Sequence, residues 1–206
     1  MLKIWGRANS INVQKAMWTV GELGLAHERI DAGAQFGLND QDWYLSMNPN
    51  GRVPVIDDDG FILYESNAIS RYLAAKHGQG ALLPDDVPSR ALADQWMDWQ
   101  QTTLSPAMFA PFWGLVRTKP EDRDHAAIEK GVKDCARLFR QLDAWLAGRD
   151  FMVADRLTTG DIPVGTATYR WFTLPIERPE VPNVSAWYAR LKERPAYREH
   201  VMQPLT

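Results

Sequence analysis

The sequence predicts an α/β domain followed by an all-α domain, and three observations carry that expectation. Short apolar runs alternate with helical patterns through the first third of the chain. A stretch rich in glycine, proline and aspartate, "HGQGALLPDDVPS", then reads as a connection rather than an element. Beyond it the strand patterns vanish and the helical ones lengthen. Domains are therefore expected at residues 1–78 and 88–206, with a linker at 79–87.

Taken in order, "LKIW" is a short apolar run that suits a strand, and Val13, Met17, Trp18, Val20 and Leu23 then recur at helical spacing until Gly24 stops the pattern. "HERID" reads as a second strand despite its polarity, and the stretch after it reads as irregular. "VPVID" and "FILYE" are joined across Asp57-Asp58-Asp59-Gly60, whose closing Asp-Gly is a hairpin signal. Glu65, Ser66 and Asn67 directly precede Ala68, Ile69, Tyr72 and Leu73 at helical spacing, so a helix starts there. The order β-α-β-β-β-α implies a small mixed sheet with helices packed on it.

Downstream, "SRALADQWMDWQQTTLSPAMFAPFW" reads as a helix bent or interrupted at Pro106 and Pro111. Ile128, Val132, Cys135, Leu138, Phe139, Leu142, Trp145 and Leu146 form one helical stripe. Thr158 and Asp161 are spaced as a reciprocal N-cap, with Asp in the place of the usual Glu. The segment "NVSAWYARLKERPAYREHV" supplies one or two helices broken at Pro195.

The 206 residues, 45% hydrophobic and 24% charged, suit a globular protein of one or two domains. A net charge of −3 leaves no electrostatic footprint for nucleic acid or for an anionic membrane. No apolar run nears the roughly 18 residues of a membrane span, and no basic segment precedes an apolar one at the start, so the expectation is a cytoplasmic protein. Cys135 stands alone, and His27, His77, His125 and His200 lack the pairings of zinc sites, which leaves neither a disulfide framework nor a metal centre expected. On its apolar stripe, Cys135 reads as a small core residue.

Pro54 carries no ladder donor, so it belongs at an edge or a strand start. With a cis proline there, the Val53 N–H and C=O would point away from the sheet and suit a peptide-like ligand. Ser66 at a helix start sits where unpaired N–H groups and the helix dipole favour a carboxylate, and Glu65 beside it suits an ammonium group. Read alone, the same residues serve equally as a cap and a strand opening.

Together, "NPNGRVPVIDDDGFILYESNAISRYLA" and "LTTGD" resemble the glutathione transferase superfamily over almost the whole chain. The resemblance is to its bacterial serine-type, theta- or nu-like classes. It implies a thioredoxin-like first domain, an all-α second domain, glutathione as co-substrate and a homodimer. By that resemblance Ser66 binds the γ-glutamyl carboxylate, Glu65 the amino group and Val53, held before Pro54, the cysteinyl backbone. Arg52 and Asn67 are additional expected contacts.

The thiolate stabiliser is expected where the first helix begins, in "GRANSINVQKAMW". Ser10 lies at the position of the catalytic serine in the serine-type classes, and Asn12 is the nearest second donor. Ser-x-Asn is similar to the Thr-x-Asn of bacterial classes that reduce disulfides. The competing role for Ser10 and Asn9 is helix capping. No tyrosine precedes Tyr44 and no cysteine precedes Cys135, so a tyrosine- or cysteine-type first loop is unavailable. Met108, Phe109, Phe112 and Trp113 are expected to line the pocket for a small hydrophobic electrophile. Disulfide or peroxide reduction, and binding without turnover, are the alternatives to conjugation.

Overall fold

The computed structural model describes residues 1–153 and 155–206. Strands β1 (Leu2–Trp5), β2 (His27–Ile30), β3 (Val55–Asp58) and β4 (Phe61–Tyr64) form a sheet of order β2-β1-β3-β4. The β1–β2 pair is parallel and the other two pairs are antiparallel. The parallel pair needs a crossover, and helix α1 (Ile11–Glu22) supplies it. Between β3 and β4, Asp59 and Gly60 both have positive φ, 53° and 95°, the conformation that two-residue hairpins favour.

Helix α1 and helix α3 (Ser66–His77) pack on the sheet, burying Ile4, Val13, Ile56, Ile69 and Leu73. A short helix α2 (Asp42–Met47) lies in the stretch expected to be irregular. Its six residues bury only Tyr44, too little for an apolar period to show.

From residue 87 on, the chain is helical. The helices are α4 (Val87–Trp99), α5 (Ser105–Phe112), α6 (His125–Leu146), α7 (Asp161–Thr173), α8 (Pro182–Glu193) and α9 (Pro195–His200). The proline-rich segment is interrupted, as expected, by a change of helix type rather than by a loop. It stays helical, with π turns at Gln100–Leu104 and Trp113–Arg117 flanking α5. The first widens the helix around Thr102, four residues before the Pro106 ring that would otherwise press on its carbonyl.

Cys135 is fully buried and burial pushes its thiol up to about 12, as suits an inert core side chain. Asp161 is buried too, accepting from the Met152 and Thr158 N–H groups at 3.0 and 2.9 Å and from Trp187 Nε1 at 2.9 Å. Burial nevertheless pushes its carboxyl up to about 6. Only half of the expected reciprocal cap forms, because the Thr158 hydroxyl donates to Asp161 Oδ2 at 3.1 Å instead of accepting a main-chain N–H.

The two domains share side chains. Trp18 of α1 lies in the helical core, edge-on to Tyr197 with centroids 4.7 Å apart. Gly165 of α7 makes room for it, since a Cβ there would meet the Trp18 ring at 2.8 Å and Leu191 at 2.9 Å. This contact fixes the helical domain against α1, and the cavity described next opens along the same junction. Among the described residues, no helix is long and apolar enough to cross a membrane.

Candidate active site

A cavity of about 640 Å³ lies between the domains, and the N-termini of α1 and α3 both meet it. The first main-chain bond inside α1 runs from Gln14 N to Ser10 O at 2.9 Å, and the first in α3 from Ile69 N to Glu65 O at 2.9 Å. The N–H groups ahead of them have no intrahelical acceptor, so two helix ends present donors and partial positive charge to one space. Ser10 sits at the N-cap of α1 in an extended conformation, yet its hydroxyl makes no capping bond. It lines the cavity with only 7% of its surface exposed. Capping therefore does not use this hydroxyl.

Asn12 lies two residues further on and accepts the Ser66 hydroxyl at 3.3 Å, which ties the two helix ends together. Glu65 also lines the cavity and has φ +70°, a conformation that costs a non-glycine residue about 1–3 kcal/mol. Such a residue is held in place by its surroundings and turns α3 sharply out of β4.

The Val53–Pro54 peptide is cis, and Pro54 directly precedes β3. Just upstream, Tyr44 Oη and Asn48 Nδ2 both donate to the Arg52 carbonyl at 2.9 Å. Burial pushes the Tyr44 phenol well up, so it remains a donor. This clamp fixes the approach to Val53, whose own N–H and C=O have no protein partner among the described residues.

The opposite wall comes from α5, the π turn after it, and α7. Met108 and Phe112 are buried, whereas Phe109 and Trp113 are 63% and 45% exposed and stack with centroids 5.5 Å apart. All four line the cavity, as do Ser10, Asn12, Arg52, Val53, Pro54, Glu65 and Ser66. Asn67 does not. Its Nδ2 crosses to the helical domain and donates to the Met97 carbonyl at 2.9 Å, because the second residue of α3 faces α4.

Sequence reasoning named Arg52 and missed the cavity's other arginines. Arg7, Arg117 and Arg170 line the cavity, and Arg170 is 7% exposed with its guanidinium 3.9 Å from the Phe112 centroid. The available signal was one arginine inside "DIPVGTATYRWF", a segment otherwise small, apolar or uncharged after its first residue. Burial, then the charges of Arg117 and Arg7, pull Arg170 down to about 9. Lys15, buried in α1, is pulled down to about 7, chiefly by burial and then by Arg170.

The chain matches the family models for the glutathione S-transferase N-terminal domain at residues 1–75 and for the glutathione S-transferase C-terminal domain at residues 97–195. It is 47% identical over 208 residues to glutathione S-transferase GstB of Escherichia coli, covering 100% of both chains. It is 32% identical over 178 residues to glutathione S-transferase 1 of Manduca sexta, covering 84% of this chain and 78% of that one. The crystal structure of the theta class glutathione S-transferase from Xanthomonas axonopodis pv. citri with glutathione bound superposes with a TM-score of 0.96. That likeness comes at 47% identity and covers 100% of this chain and 99% of the other.

Proposed function

The chain belongs to the glutathione S-transferase family, and from that premise we propose that it joins the glutathione thiolate to a small electrophile with an apolar body. The carrying observation is the Ser10 hydroxyl, unspent at the N-terminus of α1 and facing the cavity. In this reading Ser66 and the free N–H groups of α3 hold the γ-glutamyl carboxylate, and Glu65 holds the ammonium. The Val53 main chain pairs with the cysteinyl residue, and Arg52 lies within the same wall. That placement leaves the thiol near Ser10, with Asn12 as the rival donor. Glutathione-binding residues then belong to domain 1–78 and the electrophile pocket to domain 88–206, and the working unit is a cytoplasmic homodimer.

A free thiol titrates near ~8.5, and lowering that by two units takes about 2.7 kcal/mol. One hydrogen bond to a charged group contributes about 1.5–3 kcal/mol, and a helix N-terminus about 0.5–2 kcal/mol. Together they suffice. The thiolate then attacks the electrophilic carbon held against Met108, Phe109, Phe112 and Trp113; the C–S bond forms and the leaving group departs with its electron pair.

The Ser10-x-Asn12 pair, with both side chains on the cavity, favours a second reading, in which bound glutathione reduces a disulfide or peroxide. A substrate panel separates the readings. Turnover of alkyl or aryl halides and epoxides supports conjugation, whereas turnover confined to mixed disulfides or hydroperoxides moves the activity to reduction. Glutathione binding with no turnover of any class makes the protein a binding module.

A further inference from the structure

We propose that the helical wall of this cavity is an anion subsite, so that the electrophile carries a carboxylate close to the carbon that is attacked. The proposal names the substrate class of the conjugation site and rests on the conjugation reading.

Four arginines line the cavity, Arg7, Arg52, Arg117 and Arg170, and the sole acidic side chain lining it among the described residues is Glu65, on the glutathione-binding wall. Arg7 has no hydrogen bond or ion pair through its side chain among the described residues, and Nε of Arg170 is buried without a partner. Arg170 donates once, from Nη2 to the Asn9 carbonyl at 3.3 Å. Arg117 closes its fork, Nε and Nη2, on the Thr206 main-chain oxygen at 3.1 and 3.0 Å. Each group's affinity for its proton is lowered by burial, Arg7 and Arg170 also by the neighbouring arginines. Gathering cations out of water is costly unless an anion joins them.

Geometry places that anion. The Phe112 ring lies against Arg170 at 3.9 Å and near Arg117 at 5.1 Å, so an apolar surface holds the Arg170 guanidinium, whose Nε has no partner, beside a second cation. The bond to Asn9 brings Arg170 to the residue before Ser10, so an acid bound there lies close to the thiolate. In water the negative charge of such a substrate repels the incoming thiolate, and fixed positive charge beside the reacting carbon removes that penalty. The step balances without a redox partner: the thiolate pair forms the C–S bond, the carbon–halogen bond breaks, halide leaves with its pair, and the carboxylate is unchanged.

Iodoacetate and iodoacetamide share a leaving group and nearly a size, and differ in charge. Comparing kcat/KM for the two, each relative to its uncatalysed rate with glutathione, should show the acid preferred at least tenfold. Binding of S-carboxymethylglutathione should likewise be at least tenfold tighter than that of its amide counterpart, a readout free of chemistry. Buried Cys135, with its thiol pushed up to about 12, keeps direct alkylation out of the comparison. Arg117→Gln and Arg170→Lys should each pull the acid-to-amide ratio toward one, and the wild-type ratio stands as evidence even if either variant misfolds. Equal or better use of the amide overturns the proposal. So does an arginine variant that weakens glutathione binding and leaves the ratio intact, because the arginines then serve glutathione. Conjugation of a neutral aryl halide alone overturns the subsite and leaves the conjugation reading standing, whereas no conjugation of any electrophile overturns that reading and the subsite with it.

Discussion

Along the wall built by residues 1–77, the groups that face the cavity are set mainly by main chain: two helix N-termini, the clamped Arg52 carbonyl ahead of Val53, and a glutamate held at φ +70°. Across the cavity, the wall built by α5, the following π turn and α7 presents side chains instead, with Phe109 and Trp113 stacked in the open and Arg170 packed on Phe112. The first wall has little freedom to change what it binds. Substitutions on the second alter what is admitted without touching the backbone, which suits one wall to a constant co-substrate and the other to a variable one.

The junction between the walls offers the most drastic way to break this comparison. Gly165→Ala places a methyl within 2.8 Å of the Trp18 ring and 2.9 Å of Leu191, so α7 and α1 must separate. We expect a loss of about 3 kcal/mol, at the upper end for overpacking, read by denaturant unfolding. Activity toward every electrophile should fall together.

Within the first wall, Ser66→Ala should weaken glutathione binding by about 2 kcal/mol, measured by calorimetry. Affinity unchanged in that variant would remove the carboxylate from α3. Within the second wall, Phe109→Ala should leave stability nearly intact, since the ring is 63% exposed. It should cost about 1 kcal/mol in kcat/KM for an aromatic electrophile and nothing in glutathione affinity. A matching loss in glutathione affinity would mean that the two walls are not separable.

A pH-dependent effect concerns Lys15, buried below the first wall and pulled down to about 7. Its folded value lies below its unfolded one, so the unfolded chain binds the extra proton between about 7 and 10.5, and this group's contribution makes stability rise with pH across that window. Subtracting the stability–pH profile of Lys15→Met from that of wild type should isolate the rise. A flat difference would show that the ammonium reaches water.

The same contrast governs what was legible in the sequence. Main-chain devices leave local signatures: Asp59-Gly60 marks a hairpin, Pro54 a strand opening, and Glu65-Ser66 a helix start, and the structure puts each at the expected place. Side-chain facing leaves weaker ones. Met108, Phe109, Phe112 and Trp113 were reachable as a group, but nothing local told Asn67 to cross to Met97 or brought Arg7, Arg117 and Arg170 together from positions far apart in the chain. Helix α2 escaped because six residues are too few to display a period.

Central to the account is that the Ser10 hydroxyl, spared from capping, holds the thiolate. Its most direct test is the thiolate absorbance of bound glutathione, followed against pH in wild type, Ser10→Ala and Asn12→Ala. Losing one hydrogen bond to a charged group, about 1.5–3 kcal/mol, should raise the thiol pKa by about 1–2 units in Ser10→Ala while binding stays nearly intact. A rise confined to Asn12→Ala, or no rise in either variant, would contradict it, leaving Asn12 in the first case and the α1 N-terminus alone in the second as the stabiliser.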